Sequence, residues 1–162
     1  MTITVEDGTI VADANSYESA VNVIAFAAAR GVTIASEDAE SLIIRAMDYI
    51  ETRTYQGCQV EFGTQALSWP RDNVYIEGNL LDNDTIPNRL KNGLCQLCMD
   101  LQNEYDPQNV ITRQVKEESF AVFKKVYMDG AVDSPVLQKV NAWLAPLMDS
   151  DGLSFRVDRS YG

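Results

Sequence analysis

The sequence predicts a mainly α fold: a small bundle of about four helices with a β-hairpin and extended N- and C-terminal arms. Apolar residues recur at helical spacing in several separate segments, and only the stretch 110–128 switches towards a period of two. The chain has 162 residues, 46% of them apolar and 23% charged, enough for one core without metal or disulfide staples. The expected organisation is a single domain over 1–162, with an N-terminal arm (1–15), a core (16–148) and a C-terminal arm (149–162).

Residues Ile3 to Val11 alternate loosely around Asp7-Gly8, a hairpin-type dipeptide, and read as a short two-stranded piece or an extended arm. A first helix is expected from about Ser19, a good N-cap, to Arg30, with Gly31 as its stop. Ala20, Val21, Val23, Ile24, Phe26, Ala27 and Ala28 make it apolar most of the way round, so packing on more than one side is expected. A second helix should start at an N-cap Ser36, with Glu37, Asp38 and Glu40 where the helix dipole favours acids. Its stripe is Ala39, Leu42, Ile43, Ala46, Met47 and Ile50, and its end is expected near Arg53 to Tyr55.

Residues 57–85 lack a long periodic pattern and are rich in Gly, Asn and Asp. They read as an ordered long loop, with Trp69 packed down onto the helices. Ile86-Pro87 should open a third helix with Pro at its first position. Leu90, Leu94, Leu97, Cys98, Leu101 and Tyr105 form its stripe, and Asp106-Pro107 ends it. Val115, Phe120, Val122, Phe123, Val126 and Tyr127 suggest a hairpin. Ser134-Pro135 should open a last helix carrying Val136, Leu137, Val140, Trp143, Leu144 and Leu147. In the tail, Leu153, Phe155 and Val157 alternate with Ser154, Arg156 and Asp158, as in a strand.

The chain contains no histidine. That removes imidazole general bases, Ser-His-Asp and Cys-His catalysis, and histidine metal sites. Cys95 and Cys98 share one helical face and read as core residues rather than a redox pair or a thiolate metal corner. Asp82-Asn83-Asp84 fails the spacing of a calcium loop, and Glu117 and Glu118 point to opposite faces of a strand. No phosphate-loop, dinucleotide or nucleophile-elbow motif is present. No catalytic, metal or cofactor site is therefore expected. Met1 to Val11 has neither a basic nor an apolar region of a signal peptide, and the apolar run near Ala20 to Ala29 is too short to span a bilayer. Synthesis in the cytoplasm and no membrane contact are expected.

Lys and Arg number 13 against 24 Asp and Glu, a formal net charge of -11. Residues 1–51 hold nine acids and two bases, whereas Arg156 and Arg159 stand against Asp158 in the last eleven residues. An acidic body argues against binding built on phosphates and suits a surface past which DNA slides, although solubility alone explains it as well. The tail is too apolar for a solvated end. It can add to the sheet edge of a neighbour or fold back on its own domain.

Gln65-Ala66-Leu67-Ser68-Trp69-Pro70-Arg71 resembles the Q-x-L-x-W-P-R signature of a family of small proteins from tailed bacteriophages and prophages. Ala14-Asn15-Ser16-Tyr17, the Leu42, Arg45, Ala46, Asp48, Tyr49 helix, Gly57 and Ile86-Pro87 resemble other parts of it in the same order. The family is often labelled DnaT-like single-stranded-DNA binding, and its better-supported relatives are head-tail connector, or adaptor, proteins. The resemblance implies a structural homo-oligomeric ring, commonly a dodecamer, between the portal protein and the tail or next connector protein. DNA would pass through its lumen without specific binding. It further implies a place at the head-tail joint of the virion, arms that grip neighbours and portal, no cofactor and no catalysis.

Two sets of residues stand out. Gln65, Trp69, Pro70 and Arg71 form either an internal loop anchor or a subunit contact, since Pro70 biases Trp69 towards extended geometry and Trp and Arg are enriched at hot spots. Phe155, Arg156, Val157, Arg159 and Tyr161 are the expected C-terminal-arm contacts to a portal or neighbour. Single-stranded DNA binding is the alternative. Tyr55, Phe62, Trp69 and Tyr75 would be its stacking platforms, with only Arg53 and Arg71 as nearby cations against Glu51, Glu61, Asp72 and Glu77.

Overall fold

A computed structural model describes residues 2–103, 115–119, 123–127 and 137–149. Among the described residues, four α-helices carry the fold: α1 (Ala20–Ala28), α2 (Ser36–Ile50), α3 (Asn88–Gln102) and α4 (Gln138–Leu144), the last running into a 3₁₀ turn, Ala145–Leu147. Helix α3 is the hub. It packs against α1, α2 and α4, and α1 also packs on α2.

The helical spacing of apolar residues explains the core. Ala39, Leu42, Ile43, Ala46, Met47 and Ile50 of α2 are all buried, as are Leu90, Leu94, Leu97, Cys98 and Leu101 of α3. Both stripes follow i, i+3, i+4 spacing; α2 turns that one face inward, whereas α3 also buries Gly93, Cys95, Gln96 and Met99 and is covered nearly all round. Helix α4 adds Val140 and Leu144. It lies so close to α3 that a Cβ on Gly93 would sit 2.9 Å from Leu144 Cδ2, so a larger residue there would push the Leu144 side chain aside.

Element boundaries move by a few residues. Ser19 caps α1 as expected, its side chain accepting from the Asn22 N–H at 3.2 Å, and Gly31 turns the chain with φ +74°. The N-cap of α2 is Ala35 rather than Ser36, which already lies inside the helix. That helix stops at Ile50, the last residue of its stripe and short of the expected Arg53 to Tyr55, and a turn follows at Glu51 and Thr52. Pro87 is the N-cap of α3 rather than its first helical residue. The α4 start lies at Gln138, beyond Pro135; Ser134, Pro135 and Val136 lie outside the described residues, as do Tyr105 and Asp106-Pro107.

Helix α1 packs on more than one side, as its apolar composition suggests, since it meets both α2 and α3. Val23 and Ala27, one i, i+4 pair, are buried, and Ala20, Ile24 and Phe26 are partly buried against the core, whereas Val21 is 74% exposed. Phe26 also carries the Arg30 guanidinium, 3.4 Å above its ring.

Strands are short. Val115–Ser119 (β5) and Phe123–Tyr127 (β6) form the expected antiparallel hairpin, with register irregularities along it. The long loop carries two further antiparallel ladders of two residues a strand. Cys58–Gln59 (β1) pairs with Arg71–Asp72 (β2), and Tyr75–Ile76 (β3) pairs with Asn79–Leu80 (β4). The second ladder turns at Glu77-Gly78, both with positive φ (54° and 82°), the backbone that a two-residue hairpin requires.

The N-terminal segment is an extended arm rather than a hairpin. It is held by a parallel bridge from Val5 to Ser16 and by Glu6, fully buried, whose carboxylate accepts from the N–H groups of Gly8, Ile10 and Val11 at 2.8, 3.0 and 2.9 Å. Three backbone donors satisfy the buried carboxylate, a feature that periodicity does not reveal. Among the described residues no helix is long and apolar enough to cross a membrane.

Candidate functional site

The Trp-Pro-Arg corner closes the long loop onto the helices. Trp69 is fully buried and meets Tyr55 edge to face, with ring centroids 5.6 Å apart. Its backbone N–H donates to the Tyr17 hydroxyl at 3.1 Å, and that hydroxyl donates to Glu51 Oε1 at 2.5 Å. The other oxygen of Glu51 accepts from the Ser68 N–H at 2.8 Å. One carboxylate just past α2 and one phenol just before α1 thus hold two consecutive backbone donors of the loop. Burial, reinforced by the charge of Glu51, pushes the Tyr17 phenol far above its ordinary pKa, so it remains a donor. Burial raises Tyr55 as well, and its hydroxyl donates to the Ile50 carbonyl at 3.0 Å.

Arg71 supplies the opposite charge to the same corner. Nε donates to Gln56 O at 2.7 Å, Nη1 to Ser68 O at 3.1 Å, and Nη2 to Gly57 O at 2.9 Å and Tyr55 O at 3.4 Å. The planar fork is what lets one side chain reach four carbonyls on two strands of loop. Partial burial lowers the guanidinium pKa, and arginine keeps its charge regardless. Gln65, also buried, donates from Nε2 to Leu67 O (2.8 Å) and Pro70 O (3.2 Å), while Oε1 accepts from the Glu61 N–H at 3.0 Å. Pro70 is buried, and the Trp69–Pro70 peptide is cis. All four signature residues therefore meet at one corner.

Gln56 links that corner to the end of the described chain. Its N–H donates to Leu147 O at 3.0 Å and its side-chain amide to Pro146 O at 2.9 Å. Tyr55 bridges Met148, and the Asp149 N–H donates to Thr54 O at 3.1 Å. The C-terminal-arm residues Phe155, Arg156, Val157, Arg159 and Tyr161 lie outside the described residues.

The four aromatics divide. Tyr55 and Trp69 are inside, whereas Phe62 (89% exposed) and Tyr75 (45%) are outside. Of the two cations, Arg71 is engaged as above and Arg53 stacks on Tyr49, 4.1 Å from the ring centroid. The roles of the polar partners Tyr17, Glu51 and Gln56 escape sequence reasoning because no periodicity ties them to the signature. Ala14-Asn15-Ser16-Tyr17, which contains Tyr17, and Gly57, next to Gln56, are the nearby signals.

Elsewhere, Cys95 and Cys98 are buried in α3. Burial pushes the Cys95 thiol up to about 12 and raises Cys98 further, which opposes the thiolate that redox or metal chemistry needs. A cleft of about 610 Å³ lies between α3, α4 and the end of α1, lined by Arg30, Gln96, Asp100, Lys139 and Trp143 among others. Burial raises the Asp100 carboxyl, and Gln96 donates to it at 2.9 Å.

No curated protein and no solved structure matches the chain. One family model does, and it spans residues 1–160. On that match the chain belongs to the family described as "Putative DnaT-like ssDNA binding protein".

Proposed function

We propose that the protein is a structural, non-catalytic head-tail connector of a tailed bacteriophage. It assembles as a homo-oligomeric ring between portal and tail, with DNA passing through the lumen. One observation carries the reading. The aromatic and the cation of the signature, Trp69 and Arg71, are committed to the interior, one fully buried and the other bonded to four backbone carbonyls. A single-strand platform needs both facing outward along a basic groove. A net charge of -11 supports the same reading, because it lets a phosphate backbone slide past without sticking. Virion residence at the head-tail joint follows from the resemblance of the Gln65 to Arg71 segment.

A second reading is a single-stranded-DNA-binding replication accessory. The family's description favours it more directly than it favours a connector. The outward Phe62 and Tyr75 are the stacking groups it would use.

Electron microscopy of phage particles carrying a tagged copy tests the connector reading. Density for the tag at the head-tail joint is expected. Its absence from the particle, with the protein found on single-stranded DNA in infected cells, overturns it.

A further inference from the structure

Two surface features have no role within the subunit, and they fit each other. The first is Phe62, 89% exposed, the most exposed large apolar side chain among the described residues. It sits at the tip of a closed turn. The N–H groups of Thr64 and Gln65 donate to Glu61 O at 3.2 and 3.1 Å, and the Thr64 hydroxyl donates to Glu61 Oε2 at 3.1 Å. The buried Gln65 side chain accepts from the Glu61 N–H at 3.0 Å, which ties the tip to the Trp-Pro-Arg corner. A ring presented on a bonded turn loses little freedom when it docks, and phenylalanine is a residue type that interfaces favour. Glu61 is the only charged residue between 54 and 70, so the tip is an aromatic knob beside one negative charge.

The second feature is the cleft of about 610 Å³ between α3, α4 and the end of α1. Val32, Met99, Ala142 and Trp143 give it an apolar lining, and Arg30 and Lys139, both exposed, give it positive charge. Arg30 is held in place, since Nη1 donates to Phe26 O at 3.0 Å while the guanidinium lies over the Phe26 ring. Asp100 is the one carboxylate in the lining, and it accepts from Gln96 at 2.9 Å. Two cations against one bonded carboxylate reverse the balance of a chain whose net charge is -11. Such a cleft favours an apolar insert that brings a negative charge with it. Phe62 of the same chain does not fill it, because that ring stands in solvent.

We infer that Phe62 of one copy inserts into the α3–α4 cleft of a second copy, its ring against Met99 and Trp143 and the Glu61 carboxylate beside Arg30 and Lys139. Knob and cleft are different surfaces, so the contact is heterologous: each copy that uses its knob still offers its cleft, and association continues from copy to copy. The cleft has room for a phenyl ring together with the side chains beside it. The buried Gln65 gains a second task, because the bond that helps close the loop corner also aims the knob. The contact goes beyond the connector reading and does not rest on it, since it concerns how two copies meet and not what they join.

Disulfide trapping tests it in full-length chains that all carry Cys58→Ser. One population carries Phe62→Cys and a differently tagged one carries Ala142→Cys, and the two are mixed under a mild oxidant. Val21→Cys, also at an exposed position, mixed with Ala142→Cys sets the collisional background. A mixed-tag dimer several-fold above that background is expected. Lys139→Glu in the Ala142→Cys chain should reduce it several-fold, and Glu61→Lys in the Phe62→Cys chain should then restore much of the yield. A yield no higher than background overturns the inference. So does a Phe62→Cys/Ala142→Cys double variant that closes only within one chain on dilution. Sedimentation with the native cysteines gives a second readout: Phe62→Ala should weaken self-association and leave the urea midpoint unchanged, because the ring is exposed. A wild-type chain that stays monomeric at every concentration overturns the inference, as does self-association that Phe62→Ala leaves intact. Loss of single-stranded oligonucleotide binding in Phe62→Ala, with self-association unchanged, would assign the ring to base stacking instead.

Discussion

The backbone N–H of Trp69 donates to the hydroxyl of Tyr17, 52 residues earlier in the chain, at 3.1 Å. Because the same hydroxyl donates to Glu51, the loop, the entry to α1 and the end of α2 share one buried network. Removing the hydroxyl leaves a buried donor and a carboxylate short of partners. Tyr17→Phe should cost about 1–3 kcal/mol in urea unfolding. An unchanged midpoint would show that the network contributes little.

Arg71 tests whether the corner needs a fork or only a charge. Arg71→Lys keeps the charge but cannot span four carbonyls, so it should lose most of what Arg71→Ala loses, about 2–3 kcal/mol. Limited proteolysis should open first within 57–85. Full retention of loop protection in Arg71→Lys would contradict the geometric account.

Trp69 is large, fully buried, and has an indole N–H without a partner. Trp69→Ala should cost about 3–5 kcal/mol. Trp69→Phe should cost clearly less, since it removes an unsatisfied donor along with the volume. Equal losses in thermal or urea unfolding would mean that the indole nitrogen is satisfied in solution.

Titration offers a separate check. Burial raises Cys95, Cys98, Tyr17 and Tyr55. In the unfolded chain thiols ionise near ~8.5 and phenols near ~10, so above those values the unfolded state loses protons that the folded state keeps. Stability from these groups is complete below about pH 8.5 and falls as pH rises, for Cys95 up to about 12. The urea midpoint should therefore be lower at pH 10.5 than at pH 7. At pH 8 a thiol reagent should titrate Cys58, the exposed cysteine, quickly, and all three only after denaturation. Three fast thiols in the native protein would contradict the burial of α3.

The helices were the legible part. The stripes of α2 and α3 repeat within a few residues, so local sequence carries them, and every stripe residue described is buried. Trp69 could be assigned to the interior because a large aromatic in a polar loop needs a partner surface. The partners themselves could not be read. Tyr17 and Glu51 are 34 residues apart in the chain and leave no period. Glu6 looked like one acid among nine in its segment, yet three backbone donors make it the clasp of the arm. The apolar surface of α1 was legible too, since the helix meets both α2 and α3, although composition does not tell that Val21 is the apolar residue left outside.

The most direct test is a titration of fluorescent single-stranded oligonucleotide with the intact protein at low salt, where electrostatic binding is strongest. With Trp69 and Arg71 turned inward on an acidic body, no saturable binding is expected at micromolar protein. Tight binding that weakens steeply with added salt would contradict the central claim that this chain works by fitting against other protein surfaces.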